Sequence, residues 1–181
     1  MEKKIYFLSD AHLGSPSHAS SLETERKLSR FLDTAKADAS AIYLVGDIFD
    51  YWFEYKYVVP RGFTRLLGKL SEITDLGIEV HFFIGNHDIW LTDYLQNECG
   101  LIIHRSPLIK EFYSKRFLIA HGDGLGEKSL KLKLLRKVFH SKFLRFLFAA
   151  IHPRWTIAFA HKWSSFSRES GDISDFLGED K

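Results

Sequence analysis

The stretch "YLVGDIFD", residues 43–50, decides the fold. It belongs to an apolar run too short for a helix and closed by Gly-Asp, which reads as a buried strand whose end carries a carboxylate. The same thing happens in "FLSDAH" (residues 7–12), "FFIGNHD" (residues 82–88) and "RFLIAHGDG" (residues 116–124), so four apolar runs end in Asp, Asn or His. An ordinary strand end needs no such side chains.

The segments between these runs have helical periodicity. "SSLETERKLSRFLDTAKA" sets Leu22, Leu28, Phe31, Leu32 and Ala35 near one face, with Ser20 and Glu23 at capping-box spacing. "PRGFTRLLGKLSEITDLG" turns Phe63, Leu66, Leu67, Leu70 and Ile73 inward and stops at Gly77. A short helix is expected in "LTDYLQNECG", then a strand in "LIIHRS", then a hairpin of "LIKEFY" and "RFLIAH" turning at Ser114-Lys115. This alternation predicts an α/β sheet with parallel strands. After Gly126 the pattern changes. "KSLKLKLLRKVFHSKFLRFLFAAI" reads as one long helix and Pro153 starts another, since proline suits a first helical turn.

With 181 residues, 45% hydrophobic and 15% aromatic, the chain has the composition of one globular unit. The single cysteine, Cys99, excludes an internal disulfide and a thiolate metal site, and suits a reduced cytosolic setting. The start "MEKKIYFLSD" has no secretory apolar region, and no run reaches the roughly eighteen apolar residues of a membrane span. The net charge of +2 hides a segregation: residues 128–168 hold ten Lys or Arg and no acid, while the rest holds fifteen basic and twenty-three acidic residues. The basic block is a separate surface.

In parallel α/β sheets, ligands bind beyond the carboxyl ends of strands. Asp10, His12, Asp47, Asn86 and His121 are expected at such ends, gathered from distant points of the sequence. Taken singly, each has a plain alternative as a turn former, helix cap or satisfied histidine; all five in this order weigh against that. Carboxylate and amide oxygens mixed with imidazole suit Mn, Fe or Zn better than Ca or Mg. Two such ions, about 3.5–4 Å apart and bridged by one carboxylate, can activate water and clamp both oxygens of an in-line phosphoryl displacement.

"DAH", "GDIFD", "GNHD" and "HGD" resemble, in order, the signature blocks of calcineurin-like metallophosphoesterases. The resemblance implies an αββα sandwich with a dinuclear metal site: Asp10 and His12 on one ion, Asp47 as the bridge, Asn86 and His121 on the second. It also implies that Asp50 pairs with His87 near the scissile phosphate, the carboxylate orienting the imidazole as general acid. The family's later "G-H-x-H" block has no counterpart after His121, and His140, His152 and His161 stand isolated. A fragment lacking its C-terminal strands is therefore expected.

The insert "FLRFLFAAIHPRWTIAFAHKWSSFSRES" and the block "GDIFDYWFEY" resemble the UDP-2,3-diacylglucosamine pyrophosphatases of lipid A biosynthesis. The implied organisation is a core over residues 1–126, a helical lipid-binding cap over 127–170, and the start of a return to the core over 171–181. The implied reaction is water attack at the α-phosphorus, giving UMP and 2,3-diacylglucosamine 1-phosphate, with two divalent ions, manganese the expected metal. Leu134, Val138, Phe139, Phe143, Leu147, Phe148 and Ile151 would line an acyl groove, and Asn86, Ser167 and Arg168 would contact the nucleotide and glucosamine. A lipid-linked nucleotide sugar is the expected partner, taken at the cytoplasmic face of the inner membrane by a peripherally associated protein. One major branch of these enzymes has arginine where this chain has His87, which points to a different branch.

Two alternatives stand beside this reading. One is another metallophosphoesterase acting on nucleotides, phosphoproteins or nucleic acid. A nucleic-acid partner is not expected, because Phe and Leu at helical spacing in the insert fit a greasy groove better than stacking platforms. The other is a non-catalytic interaction module with an incomplete metal site, supported by the missing histidine block.

Overall fold

The computed structural model describes residues 3–15, 21–122, 141–152 and 155–156. Four parallel strands form the main sheet in the order β1-β2-β3-β4: β1 Lys4–Leu8, β2 Ala39–Val45, β3 Glu79–Phe83 and β4 Ile102–His104. Helices α1 (Ser21–Ala35), α2 (Thr64–Asp75) and α3 (Tyr94–Cys99) connect them. A hairpin of β5 (Leu108–Phe112) and β6 (Lys115–Ile119) forms a second, antiparallel sheet. A further helix, α4, spans Lys142–Ala149.

The period-two alternation of β2 builds both cores. Ile42 and Leu44 face the helices and pack with Leu32, Leu66, Leu70, Ile73, Val80, Phe82 and Leu95. Ala41 and Tyr43 face the other way, with Phe83 and Ile119, where Leu108 and Phe112 of the hairpin close over them. The order of layers is therefore helices, parallel sheet, hairpin. It matches the expected sandwich as far as the described residues reach.

Several expectations need correction. In α1, Leu32 and Ala35 are buried, but Leu22 and Phe31 are exposed and Glu25 is buried instead. The reason lies in α2, whose first residues have no side-chain cap of their own because Phe63 holds the N-cap position in a left-handed conformation. Glu25 supplies the missing acceptor, taking the Arg65 N–H at 2.7 Å and the Leu66 N–H at 3.2 Å and placing negative charge at the helix N-terminus. Leu22 and Phe31 are left at the rim, Phe31 edge-on to Tyr6.

The hairpin turns at Tyr113-Ser114, one residue earlier than expected. Phe112 pairs with Lys115, and both loop residues have positive φ, 51° and 60°. That is the mirror-image turn that matches strand twist, adopted here without the usual Asn-Gly. The single long helix of the insert is also not continuous: Ser141 is extended and its hydroxyl accepts the Leu144 N–H, so α4 has its own N-terminus. Ser20, Leu134, Val138, Phe139, Pro153, Ser167 and Arg168 lie outside the described residues, and with them the capping box, part of the acyl groove and two substrate contacts.

Candidate metal centre

Three loops leave the C-terminal ends of β1, β2 and β3 side by side. Asp10 N–H donates to Gly46 O at 3.2 Å, His12 N–H to Asp47 O at 3.0 Å, Leu13 N–H to Ile48 O at 3.0 Å, and Asp50 N–H to Leu13 O at 2.9 Å. Asp10, His12 and Asp47 all have left-handed backbones, with φ of 55°, 42° and 52°. Such conformations cost roughly 1–3 kcal/mol each and persist where the surroundings over-determine them. His121 arrives differently from the expectation: it follows β6 of the antiparallel hairpin, not a strand of the parallel sheet. Two sheets therefore meet at this site.

The two glycines of the "GD" and "GN" blocks permit that meeting. A Cβ on Gly46 would lie 2.5 Å from the His121 ring, and one on Gly85 would collide with the Asp47 carboxylate and sit 2.6 Å from the Asp47 backbone nitrogen. Gly46 also has φ of 78°, which costs glycine nothing.

Asp47 is the focus. Its Oδ2 lies 3.3 Å from His121 Nε2, 4.0 Å from His12 Nε2 and 4.0 Å from His87 Nε2, while its Oδ1 accepts the His87 backbone N–H at 2.9 Å. Each imidazole turns its other nitrogen outward to an oxygen. His121 Nδ1 meets the Val45 carbonyl at 3.0 Å, His87 Nδ1 meets the Asp50 carbonyl at 3.0 Å, and His12 Nδ1 is 3.6 Å from the Asp50 carboxylate. An Nδ1 turned back to a carbonyl points Nε2 into the site, the orientation that metal-ligating histidines adopt. Asn86 Oδ1 is 3.3 Å from His121 Nε2, and Asp10 Oδ1 is 3.9 Å from His12 Nε2.

Two groups of potential ligands result, His12 with Asp47 and His87, and Asp10 with Asp47 and His121, each with its donor atoms within 4.8 Å. Asp47 belongs to both. An oxygen and nitrogen set converging on one buried carboxylate fits a pair of divalent cations.

Electrostatics follow from burial. Burial pushes the Asp47 carboxyl up, but the hydrogen bond with His121, the His87 N–H and the charge of both imidazoles outweigh it and hold Asp47 below the ordinary carboxylate value. Asp88 is raised to about 7, by burial first and by the neighbouring Asp47 second. Its oxygens accept the Gly85 N–H at 2.6 Å and the Ile48 N–H at 3.2 Å, tying the "GD" and "GN" loops together.

The expected Asp50 and His87 pair is adjacent, but its hydrogen bond is made by the Asp50 carbonyl. The Asp50 carboxylate stands 3.7 Å from His87 Nδ1, as close as it stands to His12. Asp50 thus backs two imidazoles. Asp88 was in plain sight in "GNHD" without being given a role. Glu54 was signalled by a carboxylate inside the aromatic run "YWFEY", where charge is rarely buried without partners. It accepts from Trp52 Nε1 at 2.9 Å, the Asp93 N–H at 2.9 Å, the Tyr94 N–H at 3.2 Å and the Thr92 hydroxyl.

The chain is similar to several known proteins. A UDP-2,3-diacylglucosamine hydrolase of Porphyromonas gingivalis is 50% identical over 98% of this chain and 68% of its own length. One from Neisseria meningitidis is 31% identical over 88% of this chain and 65% of its own, and one from Histophilus somni is 29% identical over 88% and 66%. The chain thus spans about two thirds of the length of these curated relatives. The calcineurin-like phosphoesterase family matches residues 3–179, and with the ligand groups gathered around Asp47, the chain belongs to that family of metal-dependent phosphoesterases.

Proposed function

We propose that this protein hydrolyses the pyrophosphate of UDP-2,3-diacylglucosamine in lipid A biosynthesis, releasing UMP and 2,3-diacylglucosamine 1-phosphate. The observation that carries the phosphoester chemistry is the convergence of three Nε2 atoms on Asp47 Oδ2. The substrate is argued from the 50% identity to the Porphyromonas gingivalis hydrolase over almost the whole chain.

In this reading Asp10, His12 and Asp47 would hold one divalent cation, and Asp47, Asn86 and His121 a second, with manganese the metal proposed. When bound, the cations polarise phosphoryl oxygens and make water a competent nucleophile at neutral pH. Val45 O and Asp50 keep the imidazoles of His121 and His12 turned inward. His87, fixed by its bond to Asp50 O, presents Nε2 on the same side and passes a proton to the departing sugar phosphate as the bond from the α-phosphorus breaks. Asn86, Ser167 and Arg168 contact the nucleotide sugar.

The cap, residues 127–170, belongs beside this site, with the core over 1–126 and a return to it over 171–181. No described helix is long and apolar enough to cross a membrane. Phe143, Phe146 and Trp155 are each about 70% exposed, and Arg145 beside them is half-buried, a surface suited to peripheral contact with the cytoplasmic face of an anionic inner membrane.

The test is manganese-dependent UMP release from UDP-2,3-diacylglucosamine, run beside a chromogenic phosphodiester on one preparation. UMP release is expected. Cleavage of the diester alone would keep the metal chemistry and remove the lipid substrate.

A further inference from the structure

The loops that carry Asp50 and His87 stay paired beyond those residues. Phe53 and Trp90 form an isolated parallel bridge, and their rings meet edge-on at 5.3 Å. One position further, Glu54 joins its own loop to residues 92–94 through three of the hydrogen bonds given above, the fourth coming from Trp52 beside it. A carboxylate buried among aromatics costs free energy unless every oxygen is served, so Glu54 acts as a brace that holds these two loops in one arrangement.

Onto this braced pair residues 141–152 and 155–156 dock at two points. Phe148 of α4 lies against both rings, 5.4 Å from Phe53 and 4.6 Å from Trp90. Thr156 is buried, and its hydroxyl is 2.8 Å from that of Tyr55. Phe148 therefore faces the core, whereas Phe143, Leu147 and Ile151, also expected to line the acyl groove, are exposed. Both contacts land on residues that follow Asp50 or His87 by three to five positions.

We propose that Phe53, Tyr55 and Trp90, braced by Glu54, form a seat that determines specificity: by gripping Phe148 and Thr156, it holds the exposed apolar side of α4 where the acyl chains of a lipid-linked substrate lie. A small phosphodiester needs only the groups around Asp47 and does not use the seat. The inference rests on the substrate reading above.

The test uses Tyr55→Phe, Thr156→Val, the double variant and Phe148→Ala, each assayed on UDP-2,3-diacylglucosamine and on bis(p-nitrophenyl) phosphate, with bound manganese and melting temperature recorded. Each of the first two lowers kcat/KM for the acylated substrate by about three- to tenfold, the size of one net hydrogen bond, and mainly through KM. The double variant is no worse than Thr156→Val alone, because Tyr55→Phe removes an interaction that Thr156→Val has already removed. Phe148→Ala, which removes the larger contact, lowers it by about tenfold or more. Diester turnover and manganese content stay within about twofold in every case. Equal losses on both substrates would make the contacts a structural support of the whole site and overturn the proposal, as would unchanged kinetics on the acylated substrate. Wild-type protein that cleaves the diester but not the nucleotide sugar would sink the substrate reading itself, a result visible before any variant is made.

Discussion

The helix side of the parallel sheet and the loops at its C-terminal end are built from the same strands on opposite physical terms. On the helix side, Leu32, Leu66, Leu70 and Ile73 pack on Ile42, Leu44, Val80 and Phe82, and the buried charge within α1 and α2 is Glu25. At the loop end, Asp47, Asp50, Glu54 and Asp88 are all less than 8% exposed, and three residues with side chains hold left-handed backbones. Each buried carboxylate and each strained φ opposes folding. The apolar packing beneath offsets this, and the loops gain a fixed geometry that solvent-exposed carboxylates would lack. Stability and chemistry are thus divided between two regions, and substitutions should separate them.

The largest separation is expected at Asp47. Asp47→Ala removes the carboxylate on which both ligand groups depend, so manganese binding and turnover should both be lost; normal turnover with manganese would defeat the bridge. His87→Ala comes next, with turnover about 10²–10⁴-fold lower, the usual contribution of a positioned acid. Metal analysis should find its manganese unchanged, and a variant that loses metal would make His87 a ligand instead.

The opposite pattern should come from the helix side. Leu70→Ala leaves a cavity under the sheet and should cost about 2–5 kcal/mol of stability in denaturant unfolding. Well below its melting temperature, its turnover per folded molecule should stay within about twofold. If activity fell in step with stability, the two regions would not be separable.

The smallest effect concerns the other face of the sheet. His81 Nδ1 is 2.9 Å from His104 Nε2, with Glu79 on the far side of His81 and Lys110 nearby. Burial holds both imidazoles below their ordinary pKa of 6.5, Lys110 adds to this, and Glu79 opposes it at His81. The unfolded chain therefore binds protons that the folded one refuses. The resulting stability is complete above about pH 6.5 and is lost as pH falls through the depressed folded values. Between pH 7 and 5 the melting temperature should drop more in the wild type than in His81→Phe. Parallel curves would remove this pair from the acid response, whereas the opposing contribution of Asp88, common to both proteins, cancels in the comparison.

Much of this was legible in the sequence because it is local. The apolar runs, the helical periodicities, Gly77 as a stop and the candidate ligand residues at strand ends all depend on neighbours within a few positions. Glu25 was not legible as a buried residue, because its partner is the start of α2, forty residues away. The turn at Tyr113-Ser114 was missed because neither residue advertises a positive φ. The aromatic neighbours of Glu54 signal its burial, but its partners at 92–94, like the Ile48 partner of Asp88, come from the loop after the other strand.

What the sequence determined by itself was the kind of chemistry: which residue types stand at the ends of buried strands, in what order, and so that oxygen and imidazole ligands would gather for phosphoester hydrolysis. What only the tertiary structure decided was which atom of each candidate ligand is offered, and to what. The tautomer and direction of an imidazole depend on the acceptor behind it, here Val45 O for His121 and Asp50 O for His87. Those acceptors lie 76 and 37 residues away in the chain, so folding alone brings them into place.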